Sequence, residues 1–406
     1  MTDRRIDPPK PFDTDPDTDP DTDPDTAPDT DVAVVGGGLA GLTAACRLAA
    51  SGQRVTLFEA RSRLGGRMLT AAVMPVAEAP WVDLGPAWFW PHQQHIRALV
   101  AQLALPVFEQ HRDGLARYEA GAGSPPESFD PSGSADLSFR LVGGMSALTR
   151  ALHGASQAAP TPVTMHSDAA VRAITVHDDH VVLNGDGVYC TAARVIVAAP
   201  PRVVVRDIAF TPPLADTVVD TMRGTVTWMG HAMKCVATYD RPFWRDAGRS
   251  GYAVSWGGPL QEIHDACAPS RLDAPAGYAL MGFVAPPHSP ASRAFRETSL
   301  ERRRATVLAQ LARLFGPDAL SATGYAEHDW TRDAFTCGLN DDVPPTAHPE
   351  YDDTLFNGIR VDDPWSGRLV WAGAETSDVS GGYLDGAVAS GWRAAIAVLR
   401  ALNLPT

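Results

Sequence analysis

The chain predicts an α/β fold, and three features of one stretch predict it. Residues 32–35 are a short, apolar, β-branched run of the kind that forms a buried strand. Gly36, Gly38 and Gly41 follow in G-x-G-x-x-G spacing and open an Ala- and Leu-rich helix over 39–50, which stops at Ser51-Gly52. A second short strand over residues 54–59 ends on Glu59. Strand, glycine turn, helix, strand and acid together make the context a Rossmann-like dinucleotide unit requires. Gly36 permits the tight turn, Gly38 lets the backbone approach a pyrophosphate, and Gly41 lets helix and strand pack closely. The helix start at Leu39 and Ala40 offers N–H groups and the positive dipole end to that pyrophosphate. Glu59 would accept from a ribose hydroxyl and repel a 2′-phosphate. Taken alone, this stretch fits a nicotinamide cofactor and FAD equally well.

Composition narrows the partners. The 406 residues suggest two to three domains, and 45% hydrophobic with 20% charged residues is ordinary for a globular protein. Residues 1–30 hold ten aspartates and three basic residues, half of the formal charge of −14. What remains is only mildly acidic, which argues against a nucleic acid or an anionic membrane surface as partner. The Asp-Thr-Asp-Pro repeats of this tail carry no apolar content to offset the entropy of ordering, so residues 1–30 are expected to be a disordered, solubilising extension. Cys46, Cys190, Cys235, Cys267 and Cys337 are scattered and odd in number, without C-x-x-C spacing. They read as reduced thiols of a cytoplasmic protein, with no metal and no disulfide framework. No apolar run is long enough to span a membrane, and the start lacks a secretory h-region.

Further along, Gly65-Gly66-Arg67 places a guanidinium where backbone can approach closely, which suits a phosphate contact. Helical patterns are expected over 94–105, within 141–152 beginning after the pair Gly143-Gly144, and over 297–315 with Arg302, Arg303 and Arg304 on a solvated outer face. Strands are expected over 163–174, 181–184 and 195–199, with a hairpin turn at Asn184-Gly185.

With Val82-Asp83-Leu84-Gly85-Pro86-Ala87-Trp88 added, the sequence resembles the flavin-containing amine oxidase family, which includes monoamine, polyamine and L-amino-acid oxidases. Phe210–Leu214 resembles that family's link back into the substrate domain, and Met233–Arg245 its lysine strand. Trp371-Ala-Gly-Ala-Glu375 and Ser380-Gly-Gly-Tyr383-Leu-Asp-Gly-Ala-Val388 resemble its closing motifs. The likeness runs from Asp31 to Leu399 in family order. It implies a discontinuous FAD-binding domain over 31–90, 141–208 and 365–402, and a mixed-sheet substrate domain over 91–140 and 209–364. It also implies that Gly36, Gly38, Leu39, Ala40, Gly41, Glu59, Arg67, Gly85, Pro86, Ala87, Trp88, Glu375, Gly382, Tyr383 and Leu384 lie along FAD, with the backbone of Val171 at the adenine end.

For an amine oxidase the cofactor carries the hard chemistry. Lys234 is the best catalytic side chain on offer: read on a strand with Gly230 and Ala232 on its own face, it points where small neighbours leave room, while His231 faces away. The resemblance implies that Lys234 holds a water and assists reoxidation, and that Tyr383 forms one wall of an aromatic slot for the amine. Tyr383 also starts the last helix, whose positive end would face the flavin. Trp88, Phe89 and Trp90 are expected to line the cavity. Two departures stand out. Leu339 occupies the position where monoamine oxidases attach flavin through cysteine, and Cys337 falls two residues short, so non-covalent FAD is expected. Asn340 stands where the second cage tyrosine would be, in the substrate pocket, with Asp341 and Asp342 as a solvated loop or an ammonium lure. The reading is an oxidase converting an amine to an imine and oxygen to hydrogen peroxide, with amine and oxygen as partners and a homodimer as the assembly considered. A dehydrogenase or desaturase on the same fold and a non-enzymatic flavin-binding protein are the rivals. Amine versus amino acid stays open.

Overall fold

The computed structural model describes residues 28–72, 81–132, 137–269, 277–338, 340–341, 343–352 and 365–404. Two large sheets and the helices packed on them make the architecture. The first sheet contains β1 (Thr30–Val35), β2 (Val55–Phe58), β9 (Thr164–His166), β10 (Val171–Val176), β11 (Val181–Gly185), β12 (Val188–Val197), β13 (Ala209–Thr211) and β19 (Leu369–Trp371). Its order is β13-β10-β11-β12-β1-β2-β9, with β19 also pairing β12. β1 lies between β2 and β12 and is parallel to both. Such a strand is covered on both faces, which is why its sequence is apolar without alternation.

One face of this sheet carries α1 (Leu39–Ala50), α3 (Ser146–Gln157) and α9 (Leu384–Ala401), interleaved in one core with α2 (Gln94–Gln102). The other face buries Ala33, Val35, Ile174, Val195 and Trp371, with Val204 and Met222 from α4 (Pro201–Asp207) and α5 (Asp216–Gly224). The second sheet runs β18 (Gly324–Asp329), β14 (Met233–Tyr239), β17 (Tyr278–Val284), β16 (Leu260–Asp265), β15 (Arg249–Ser255), β6 (Leu115–Glu119) and β7 (Glu127–Phe129). Among the described residues two ribbons complete the strands, β3 (Thr70–Ala72) with β4 (Trp81–Asp83) and β5 (Val107–Glu109) with β8 (Phe139–Leu141). Among the described residues the remaining helices are α6 (Phe243–Asp246), α7 (Pro290–Glu297) and α8 (Leu300–Phe315).

All seven residues of β14 are buried, so its two faces meet two different cores. Met233, Cys235, Ala237 and Tyr239 pack with Val307, Leu311 and Leu314 of α8. Val236, on the other face, packs with Val82, Leu84 and Ala87 next to the nucleotide half. The period of two along a strand therefore turns Lys234 toward the nucleotide half.

Several local expectations need correction. The stretch 163–174 is two strands, β9 and β10, separated by a turn with Asp168 at φ 55°. The hairpin turns at Asp186-Gly187, where Gly185 pairs with Val188. Gly185 is instead needed for close approach, since a Cβ there would lie 2.0 Å from the Ala170 oxygen. Within 141–152 the helix does begin after the glycine pair, as α3 from Ser146, while Leu141 before the pair closes β8 and both glycines take positive φ. Ser299 caps α8 at Leu300, and Arg303 turns inward to an ion pair with Glu327 at 2.5 Å rather than out to solvent. Gly230 and His231 sit in a turn before β14, so neither shares the lysine strand. Residues 1–27 lie outside the described residues, while Thr30 already belongs to β1 and Asp29 accepts from Thr191 N at 2.9 Å. The domain expectation also shifts at its edges. α2 packs Ile96, Leu99 and Val100 into the nucleotide half, β13 pairs with β10 there, and from the 91–140 block β6 and β7 join the second sheet.

Candidate active site

A cavity of about 420 Å³ is lined by both halves of the molecule. Its nucleotide end is made mostly of backbone. Gly36, Gly38, Leu39 and Ala40 line it, Gly38 standing as N-cap of α1 with no side-chain cap. The first-turn N–H groups of that helix thus have no intrahelical acceptor and suit an anion. A Cβ on Gly36 would press the Ala198 oxygen at 2.8 Å, and one on Gly41 would meet the Gly36 oxygen at 2.0 Å. A Cβ on Gly38 would meet no protein atom within 4 Å, because it would project into the open cavity. That is the space a pyrophosphate fits. Gly41 does not line the cavity; it is the packing glycine beneath the cradle.

Glu59 directly follows β2, is 3% exposed and lines the same end. Its Oε2 accepts from Gly37 N at 2.8 Å and its Oε1 from Arg61 N at 2.9 Å, so two backbone donors fix where the carboxylate sits. Val171 lines the cavity from the start of β10. Arg61, which the sequence reading did not single out, also lines it and pairs with Asp333 at 2.5 Å.

At mid-cavity Arg67 and Glu375 both line the wall and bind each other, Nη1 to Oε1 at 2.6 Å and Nη2 to Oε2 at 2.8 Å. Arg67 therefore arrives already engaged by a bidentate carboxylate, and it also donates to the Trp228 carbonyl at 3.1 Å. Gly85, Pro86 and Ala87 also line the cavity. Only glycine fits at 85, since a Cβ would sit 1.9 Å from the Arg67 oxygen. Asp83 pins this segment by accepting from Thr70 Oγ1 at 2.6 Å and Met145 N at 2.8 Å, and Trp330 Nε1 donates to the Leu84 oxygen at 3.0 Å.

The far end is aromatic. Trp88, Trp90, Trp228, Phe283, Trp330 and Tyr383 line it around Lys234. Lys234 is 2% exposed, and its Nζ donates to the Gly85 oxygen at 2.6 Å. Trp88 and Phe283 present ring faces to Nζ at 5.7 and 5.1 Å. Burial pushes the Lys234 ammonium down to about 7, against a weaker opposing pull from Asp83. Tyr383 stands as N-cap of α9, with Gly382 and Leu384 also on the cavity wall. Trp90 meets its ring edge-on at 5.9 Å, and Trp228 tilts against it at 6.4 Å. His348 stacks on Tyr383 at 4.8 Å with an interplanar angle of 2°.

Some expected residues lie elsewhere. Phe89, two-faced by strand-like alternation with Trp88 and Trp90, is 2% exposed in the helix-side core. Asn340 is exposed in a left-handed turn, φ 64°, and is not among the cavity-lining residues. Asp341 is neither solvated nor free to attract an ammonium. It is 1% exposed and accepts from Thr227 N and Oγ1, Gly338 N and Arg202 Nη1. Its role is to fix the loop that carries Trp228. Leu339 and Asp342 lie outside the described residues. Trp228, Phe283 and Trp330 were not singled out from sequence; Phe283 reaches the site only through strand pairing, which no local motif reveals.

Comparison with known proteins gives the family and the fold. The family described as flavin containing amine oxidoreductase matches residues 122–399, and an NAD(P)-binding Rossmann-like domain matches residues 34–103. A Mycobacterium tuberculosis protein described as a flavin-containing monoamine oxidase, AofH, is 29% identical over 91% of this chain and 96% of its own length. Putrescine oxidase of Kocuria rosea is 26% identical over 92% of this chain and 96% of its own. The solved structure of a putrescine oxidase bound to putrescine superposes with a TM-score of 0.72 at 22% identity, covering 91% of this chain and 99% of the other, and so shows the fold. A flavin that also carries the pyrophosphate of a dinucleotide is FAD. With more than half its length matched and the dinucleotide cradle in place, the chain belongs to the flavin-containing amine oxidoreductases.

Proposed function

We propose that this chain is an oxidase of amines that lack an α-carboxylate, working with non-covalently held FAD. FAD, when bound, supplies the acceptor for the hydride leaving the carbon beside the nitrogen, and passes the electrons to oxygen as hydrogen peroxide. The imine product leaves the cavity and is hydrolysed to a carbonyl and ammonia or a smaller amine.

The residues supply orientation and the right protonation. Amine oxidation needs the neutral amine, and walls formed by Trp88, Trp90, Phe283 and Tyr383 disfavour the ammonium by desolvation. The same burial keeps Lys234 largely uncharged above neutrality. With one hydrogen committed to the Gly85 oxygen, its amine can hold a water in the cavity and exchange a proton with it. The N-terminal end of α9 behind Tyr383 favours negative charge developing nearby.

The observation that carries the reading is Lys234, buried at the aromatic end of the cavity that begins at the glycine cradle. Arginine placement supports amines over amino acids. Among the described residues the lining arginines are Arg61, Arg67 and Arg172, and each is already engaged by a carboxylate of this chain, Asp333, Glu375 and Asp186 respectively. No cysteine lines the cavity among the described residues, which supports non-covalent attachment. Acid precipitation should release all flavin to the supernatant; yellow colour in the pellet would contradict that part. Aerobic turnover tests the rest, with one peroxide expected per amine consumed. Flavin reduced under nitrogen that reoxidises very slowly in air would favour a dehydrogenase.

A further inference from the structure

The pairing of the second sheet places three cavity residues in one row. Lys234 of β14 pairs with Phe283 of β17, and Phe283 pairs with Glu262 of β16. Residues directly opposite across strands share a face, and all three line the cavity. Two strand spacings separate the ends of the row, so the Lys234 and Glu262 backbones lie roughly 10 Å apart. The row also runs from inside to outside: the Lys234 residue is 2% exposed, the Glu262 side chain 53%.

Glu262 is held in place. Its Oε1 lies 2.8 Å from His264 Nε2, two residues along on the same face. The His264 ring is in turn fixed edge-on to Trp88 at 4.8 Å and tilted on Tyr252 at 5.1 Å. That hydrogen bond also holds the Glu262 carboxyl below its usual range, so it is ionised at neutral pH. The other acids on the cavity wall are already engaged: Glu59 by backbone donors, Asp207 by Arg206 and Glu375 by Arg67. Glu262 has no arginine or lysine partner among the described residues.

We infer that Glu262 is a distal cation site and that the substrates carry a second positive group, as α,ω-diamines and polyamines do. The reacting amine would lie by Lys234 and Tyr383, the methylenes along Trp88 and Phe283, and the far ammonium on Glu262. This rests on the amine-oxidase reading and adds the substrate class.

The test compares diamines of several chain lengths with n-alkyl monoamines of the same carbon count, on the holoprotein and its Glu262→Gln variant. Glu262→Gln should lower kcat/KM for diamines tenfold to a hundredfold, mainly through KM, and leave monoamines within about twofold. Glu262→Asp should recover part of the loss. Equal losses for both substrate classes, or no loss, would overturn the assignment. Binding is read separately as the melting shift produced by an α,ω-diguanidinoalkane, whose protonated guanidinium groups are not turned over. A shift in the wild type that is lost in Glu262→Gln supports the site; equal shifts overturn it. A protein that oxidises no amine yet shows this Glu262-dependent shift would refute the oxidase reading and leave the cation site standing.

Discussion

The two ends of the cavity are built by opposite means. The nucleotide end is a backbone surface: glycines that exclude Cβ atoms, a helix start, and a carboxylate held by two N–H groups. The aromatic end is a side-chain surface, assembled from the 83–90 segment, the Trp228 loop, three strands of the second sheet and the start of α9. A backbone cradle needs a particular short spacing, so it leaves a local motif. A side-chain wall needs only that distant strands pair in register. The first tolerates little substitution, and the second can change substrate without changing fold.

Substitutions at the cradle should break this contrast hardest. Gly41→Val forces α1 off β1, because even a Cβ would stand 2.0 Å from the Gly36 oxygen. It should cost about 3 kcal/mol or more and leave little flavin bound, as read by melting temperature and the flavin spectrum. Gly38→Ala is its control: the added methyl meets no protein atom, so melting of the apoprotein should hardly move while flavin affinity falls. If both variants lost stability equally, the division between packing and contact glycines would be wrong.

Mid-cavity, Glu375→Gln removes the charge that engages Arg67 where the carboxylate is 1% exposed. Because Arg67 retains 25% side-chain exposure, the expected cost is about 2 kcal/mol, below the range for a fully buried pair. Denaturant unfolding of the holoprotein measures it.

At the aromatic end, Lys234→Met should retain flavin and fold but slow reoxidation by oxygen; unchanged oxygen kinetics would remove Lys234 from that step. The same variant has a pH signature. Lys234 is depressed to about 7 in the folded protein from an ordinary 10.5, so between those values the unfolded chain binds the extra proton. The cost of burying this lysine is therefore full below pH 7 and fades as pH rises toward 10.5. Melting temperatures of Lys234→Met relative to wild type should show the variant's advantage at pH 7 shrinking by pH 9.5. The smallest effect is expected at Asn340→Ala, less than twofold in kcat/KM, since Asn340 is exposed and off the cavity wall.

The legibility of the site follows the same division. The spacing of Gly36, Gly38 and Gly41, the boundaries of α1 and the placement of Glu59 could be read directly, because each is set by residues within thirty positions. Lys234 and Tyr383 were readable through family likeness. Glu262 and Phe283 were not, since they join Lys234 only when β16, β17 and β14 align. Asn340 misled for a related reason. A position in an aligned motif says nothing about a left-handed turn that carries the side chain outward. Asp341 misled because a charge in a loop reads as solvated until its four donors are seen.

The most direct measurement is anaerobic bleaching of the flavin absorbance across matched panels of amines and α-amino acids. Rapid bleaching by amines, fastest with diamines, and none by amino acids is the result expected from the cavity's aromatic walls, Lys234 and Glu262. Bleaching by amino acids, or by no amine at all, would contradict it.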